Sequence, residues 1–129
     1  MDVLSVVGAR PQFVKAATVS SALQRAGVTE SLIHTGQHYD DNMSAVFFRE
    51  LGLPGAARNL EIGGLPHGAM TGRMIEAIEA IIVETRPAFV LVYGDTNSTA
   101  AAAIAAVKLH VPVAHVEAGM RSFNRRMPE

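Results

Sequence analysis

The sequence contains no cysteine, which excludes a disulfide framework and any thiolate metal site. Charge is also scarce. Charged residues make up 18% of the chain against 49% hydrophobic ones, and the formal net charge is −1. That balance allows a large core and argues against disorder. There is no dense run of Lys or Arg, so the basic face from which nucleic-acid binders draw their affinity is missing. Long apolar runs are absent too. The richest, Ala100 to Val107, has eight residues, well short of the roughly 18 that suggest a membrane span. The N-terminus does not read as a secretory signal, because Asp2 sits where positive charge is expected and the first apolar run stops at Gly8. These absences predict a cytoplasmic domain with neither nucleic acid nor membrane as partner. The 129 residues suffice for one domain and not for two ordinary ones. The chain ends on a polar, loop-like run at Met127-Pro128-Glu129 with no closing element, the pattern expected of a piece of a longer protein.

Punctuated apolar segments fill the rest. Val3 to Val7 reads as a buried strand broken by Gly8-Ala9-Arg10-Pro11. Proline suits the first turn of a helix, where its missing N–H has no helical partner. That helix is predicted to run to about Ala26, with Phe13, Ala16, Ala17, Ser20 and Leu23 on one face and Gly27 as its stop. A weaker strand, Ser31 to Thr35, leads into Gln37 and His38. A helix over about 41–51 and a short strand over 59–62 follow. The clearest helix spans about 69–85, where Met74, Ile75, Ile78, Ile81 and Ile82 recur at helical spacing. Phe89 to Tyr93 reads as a fourth strand, an alanine-rich helix runs to about His110, and Val113 to Val116 makes a fifth strand. Strands alternating with helices, three of them apolar without alternation, predict an α/β fold: a Rossmann-like parallel sheet with helices on both faces.

Ligands in such sheets bind beyond the carboxyl ends of the strands, and the chemically interesting residues cluster there. Arg10 and Lys15 open the first helix, where a helix N-terminus and a guanidinium fork suit an anion; the alternative is a surface cation pair. The loop lacks both the P-loop and the G-x-G-x-x-G spacing, so a nicotinamide cofactor is not supported. Gln37 and His38 are candidates for a cleft contact, or for satisfying local backbone groups. Asp95 and Glu117 each close a strand. Crowded carboxylates drive one another's pKa values apart and so supply a proton donor and an acceptor. Their plainer readings are a helix N-cap for Asp95 and a loop ion pair with Arg121 for Glu117. Glu129 would be a third carboxylate. His67, His110 and His115 show no metal-ligand spacing and read as structural or surface residues, and no metal is expected.

Four segments in order, GARPQFVKAA, TGQHYDDNM, YGDTNSTAAAAIAA and HVEAGMRSFNRRMPE, together resemble the UDP-N-acetylglucosamine 2-epimerases. The resemblance covers essentially the whole chain. It implies the amino-terminal half of a two-domain enzyme of the glycosyltransferase-B arrangement, with the active site between the halves and the carboxyl-terminal half as a missing partner. It implies interconversion of UDP-GlcNAc and UDP-ManNAc by elimination and re-addition of UDP, without a redox cofactor. In that light Asp95, Glu117 and Glu129 align with the family's acidic residues near the sugar. Arg10 and Lys15 align with substrate-facing positions, Arg10 towards the diphosphate. The loop of Gln37 and His38 matches a region used for regulation in some members, and a homodimer is implied. A hydrolysing 2-epimerase that releases ManNAc and UDP shares these motifs, and a non-catalytic nucleotide-sugar binding module is the reading from a different class.

Overall fold

The computed structural model describes residues 2–37 and 58–129. The helix expected over about 41–51, and His38, lie outside the described residues. Those described form β1 (Val3–Val7), α1 (Arg10–Arg25), β2 (Glu30–His34), β3 (Arg58–Asn59), α2 (His67–Thr85), β4 (Phe89–Tyr93), α3 (Asn97–Lys108) and β5 (Val113–Val116). The five strands make one parallel sheet in the order β3-β2-β1-β4-β5. Strand order therefore reverses between β1 and β4, and the crevice beyond their carboxyl ends is the usual place for a ligand.

The alternation of side chains along β1 divides the core. Leu4 and Val6 face α2 and α3, whereas Val3 and Val7 face α1. α2 contributes the stripe Met74, Ile78 and Ile82, all essentially inaccessible; each such side chain contributes roughly 1.5–3 kcal/mol. α3 buries Ala101, Ala102, Ala105 and Ala106. Their small side chains let the helix lie close to the sheet, while Ile104 and Val107 on its other side remain exposed. α2 stops where Arg86 turns left-handed (φ 46°) and its N–H bonds Ile82 O at 2.8 Å, just before Pro87.

Expected and observed boundaries agree within two or three residues, with one informative difference. The strand expected over 59–62 is regular only at Arg58–Asn59. Parallel pairing continues beyond it, since Leu60 N–H bonds His34 O and Ile62 N–H bonds Thr35 O, both at 2.8 Å. Glu61 breaks the regular conformation with φ 54°.

Candidate functional site

The loops after β1 and β4 are joined by one buried amide. Gln12 Oε1 accepts the N–H of Gly8 at 2.8 Å and of Ala9 at 3.2 Å, while its Nε2 donates to Tyr93 O at 2.7 Å and Thr96 Oγ1 at 3.0 Å. Pro11 has no N–H, and that of Gln12 bonds Ala9 O at 3.0 Å. The chain itself thus takes up much of the donor capacity that the sequence suggested for an anion at this helix start. Gly8 packs so tightly that a Cβ there would lie 2.1 Å from Ser98 Oγ.

Three predicted carboxylates come together. Asp95, Glu117 and Glu129 all line one cleft of about 470 Å³ beyond the ends of β4 and β5. Asp95 is exposed and is not the N-cap of α3. That position belongs to Thr96, whose N–H donates to Thr99 Oγ1 at 3.2 Å. Glu117 is not paired with Arg121 as its plainer reading had it. Its carboxylate meets Lys15 Nζ at 2.5 Å, whereas the Arg121 guanidinium donates to Ala118 O and Met120 O. Glu117 also holds a left-handed backbone, φ 68°. For a residue other than glycine this costs on the order of 1–3 kcal/mol; Glu61, Arg86, His110 and Phe123 share the feature elsewhere in the chain. Glu129 accepts from the hydroxyl and the N–H of Ser122 at 2.5 and 2.6 Å. These bonds, the hydroxyl's first, hold its carboxyl below the usual carboxylate range. As placed here, Glu129 is a charged acceptor and not a proton donor at neutral pH.

The other described candidates, Arg10, Lys15 and Gln37, are not part of this lining. Arg10 is exposed at the first residue of α1, and Lys15 reaches the cleft through Glu117. Gln37 bonds Ser98, its Oε1 accepting from the Ser98 N–H at 3.1 Å and hydroxyl at 2.6 Å, so its side chain serves the start of α3. His115, read from the sequence as a structural or surface residue, lines the same cleft with Nε2 2.6 Å from Gly94 O. The available signal was its place at the end of the last strand, two residues before Glu117, at the carboxyl edge where ligands bind in such sheets. Among the described residues no group of three His, Asp or Glu is placed to hold a metal ion, and no helix is long and apolar enough to cross a membrane.

Comparison with known proteins adds the chemistry of relatives to this geometry. The family profile described as UDP-N-acetylglucosamine 2-epimerase matches residues 21–129. A UDP-2,3-diacetamido-2,3-dideoxy-D-glucuronate 2-epimerase of Pseudomonas aeruginosa is 57% identical over 130 residues, covering 100% of this chain and 37% of its own length. The crystal structure of Methanocaldococcus jannaschii UDP-GlcNAc 2-epimerase in complex with UDP-GlcNAc and UDP superposes with a TM-score of 0.93. It is 45% identical, over 100% of this chain and 36% of that one. The Neisseria meningitidis UDP-GlcNAc 2-epimerase bound to UDP-GlcNAc gives 0.88 at 32% identity, over 98% and 34%. The chain thus spans little more than a third of these relatives, and over that span both sequence and fold agree: it belongs to the UDP-N-acetylglucosamine 2-epimerase family.

Proposed function

We propose that the chain forms the amino-terminal wall of the active site of a nucleotide-sugar 2-epimerase that interconverts UDP-GlcNAc and UDP-ManNAc. The observation that carries this reading is the convergence of Asp95, Glu117 and Glu129 on one cleft at the carboxyl edge of the sheet. The C2–H of the sugar is not adjacent to a carbonyl, so direct removal of the proton yields no stabilised enolate. Elimination avoids the problem. A base takes the C2 proton, the C1–O bond breaks with its electron pair leaving on the diphosphate, and a 2-acetamidoglucal and UDP result. A diphosphate oxygen then adds back to C1 while C2 receives a proton on the opposite face. Because the two proton transfers occur on opposite faces, two groups are required, and in this reading Asp95 and Glu117, which line one cleft from separate loops, take these roles. Arg10 is the cation assigned to the diphosphate, and Lys15 acts beside Glu117.

A second substrate is favoured by one specific observation, the 57% identity to an epimerase of UDP-2,3-diacetamido-2,3-dideoxy-D-glucuronate. It too carries a C2 acetamido group, so the same elimination serves it. In this account the protein is a cytoplasmic homodimer, and residues 1–129 alone do not turn over substrate. The test is made in a full-length enzyme carrying this chain, with each UDP-sugar offered separately and products resolved by NMR. Epimer with UDP consumed as fast as it forms supports the proposal, and free ManNAc with UDP accumulating identifies a hydrolysing enzyme. Asp95→Asn and Glu117→Gln should lose turnover while still binding the nucleotide; normal activity in both would remove the carboxylates from the mechanism.

A further inference from the structure

The Asp95 loop is held from both flanks. On one side Tyr93 O accepts from Gln12 Nε2 at 2.7 Å and from Thr99 Oγ1 at 2.5 Å. On the other, Gly94 N–H donates to Val116 O at 3.0 Å, and Gly94 O accepts from the His115 ring at 2.6 Å. The acceptor is a carbonyl, so His115 Nε2 carries the proton in this bond. Gly94 is the residue at which β4 turns into the loop, with φ +66°. Its carbonyl and the Asp95 N–H belong to one rigid peptide plane, and the orientation of that plane sets the direction in which the Asp95 side chain leaves the backbone. His115 stands on β5 two residues before Glu117, which follows the strand end in a left-handed conformation, and both line the same cleft.

We propose that His115 is a positioning residue that fixes the Gly94–Asp95 peptide plane and so sets Asp95 against Glu117 for proton transfer. One strand, β5, then leads directly into one carboxylate and aims the other. The inference rests on the epimerase reading for its kinetic consequence and on the hydrogen bond alone for its structural one. Because His115 is exposed, its replacement does not open a cavity in the core.

The test compares His115→Phe, which keeps a ring and removes the donor, with His115→Gln, whose amide N–H can reach a similar point. Both are made in a full-length enzyme carrying this chain. In His115→Phe, kcat should fall about 10- to 100-fold, the scale of a carboxylate displaced by up to an ångström. KM for the UDP-sugar should stay within about twofold, and His115→Gln should regain most of the lost kcat. A kcat unchanged in His115→Phe, an equal loss in both variants, or a raised KM at constant kcat would overturn the proposal. The Asp95 N–H residual dipolar coupling, measured on the same proteins, reports the peptide plane directly. It should change in His115→Phe and return in His115→Gln, and an unchanged coupling in His115→Phe overturns the proposal. If the parent enzyme shows no epimerisation, the functional reading fails while this coupling still decides whether His115 orients the loop.

Discussion

Replacing Gly8 by alanine should destabilise the fold far more than a single methyl group suggests. The added Cβ would lie 2.1 Å from Ser98 Oγ, 2.5 Å from Thr35 Oγ1 and 3.0 Å from Ser98 Cβ. Rotating the Ser98 hydroxyl away does not relieve the last of these. It would also break the 2.8 Å contact with Thr35 Oγ1 and the 2.6 Å bond to Gln37 Oε1. Overpacking of this kind typically costs about 1–3 kcal/mol, and each hydrogen bond lost contributes about 0.5–1.5 kcal/mol more. A loss of roughly 2–6 kcal/mol therefore follows for Gly8→Ala if both bonds are lost. Gly72 provides the control. It lies inside α2, where a Cβ would meet nothing within 4 Å, so Gly72→Ala should raise stability by up to about 1 kcal/mol through helix propensity and the unfolded chain. Urea unfolding of the two variants beside the parent, followed by circular dichroism, measures both. A Gly8→Ala protein as stable as the parent would refute the close approach of the β1–α1 loop to Ser98. It would also remove the reason for a glycine at the switch point.

Other expectations concern buried polar groups and the ion pair. Tyr93 Oη is buried and has no hydrogen-bond partner among the described residues, and burial, followed by the nearby Glu30 carboxylate, holds the phenol protonated; Tyr93→Phe should leave stability unchanged or improve it, and a loss above about 2 kcal/mol would reveal a partner. His34 is buried against the Phe13 ring and accepts the Gly36 N–H at 2.7 Å, and burial lowers its pKa. The folded state then binds fewer protons than the unfolded one, so this contribution is complete above the unfolded value near 6.5 and is lost as pH falls. Unfolding free energy should decline on acidification by no more than about 1.4 kcal/mol per pH unit for this one proton, and the His34→Gln variant should lack that component. The Lys15–Glu117 pair is partly exposed, so Lys15→Met should alter stability by less than about 1 kcal/mol. Turnover should nevertheless drop at least tenfold, which a steady-state assay would check.

The elements were readable in the sequence because their signals are local. Apolar runs bounded by Gly and Pro marked β1, β4 and β5, and the isoleucine spacing marked α2. The parallel, Rossmann-like sheet and the clustering of candidate loops at its carboxyl edge followed from the alternation of element types; the strand order came only with the structure. Which polar partner each site residue takes was not readable, because those choices join residues far apart in sequence. Lys15 and Glu117 meet from α1 and the loop after β5, and Gln12 bridges to Tyr93 across 81 positions. Asp95 escaped the N-cap role because Thr96, one residue later, took it. The irregular pairing at Leu60 and Ile62 depends on the left-handed turn at Glu61, for which a glutamate gives no local cue.

The central claim is that the cleft at the ends of β4 and β5 moves a proton at C2 of a UDP-sugar. The most direct measurement is proton NMR of UDP-GlcNAc, and separately of UDP-2,3-diacetamido-2,3-dideoxy-D-glucuronate, incubated in D2O with a full-length enzyme carrying this chain. The account predicts that the C2 proton signal of one of them disappears as its epimer forms, and that Asp95→Asn abolishes the exchange. Nucleotide-sugar bound with the C2 proton retained and no epimer formed, for both substrates, would contradict it and leave a binding module in its place.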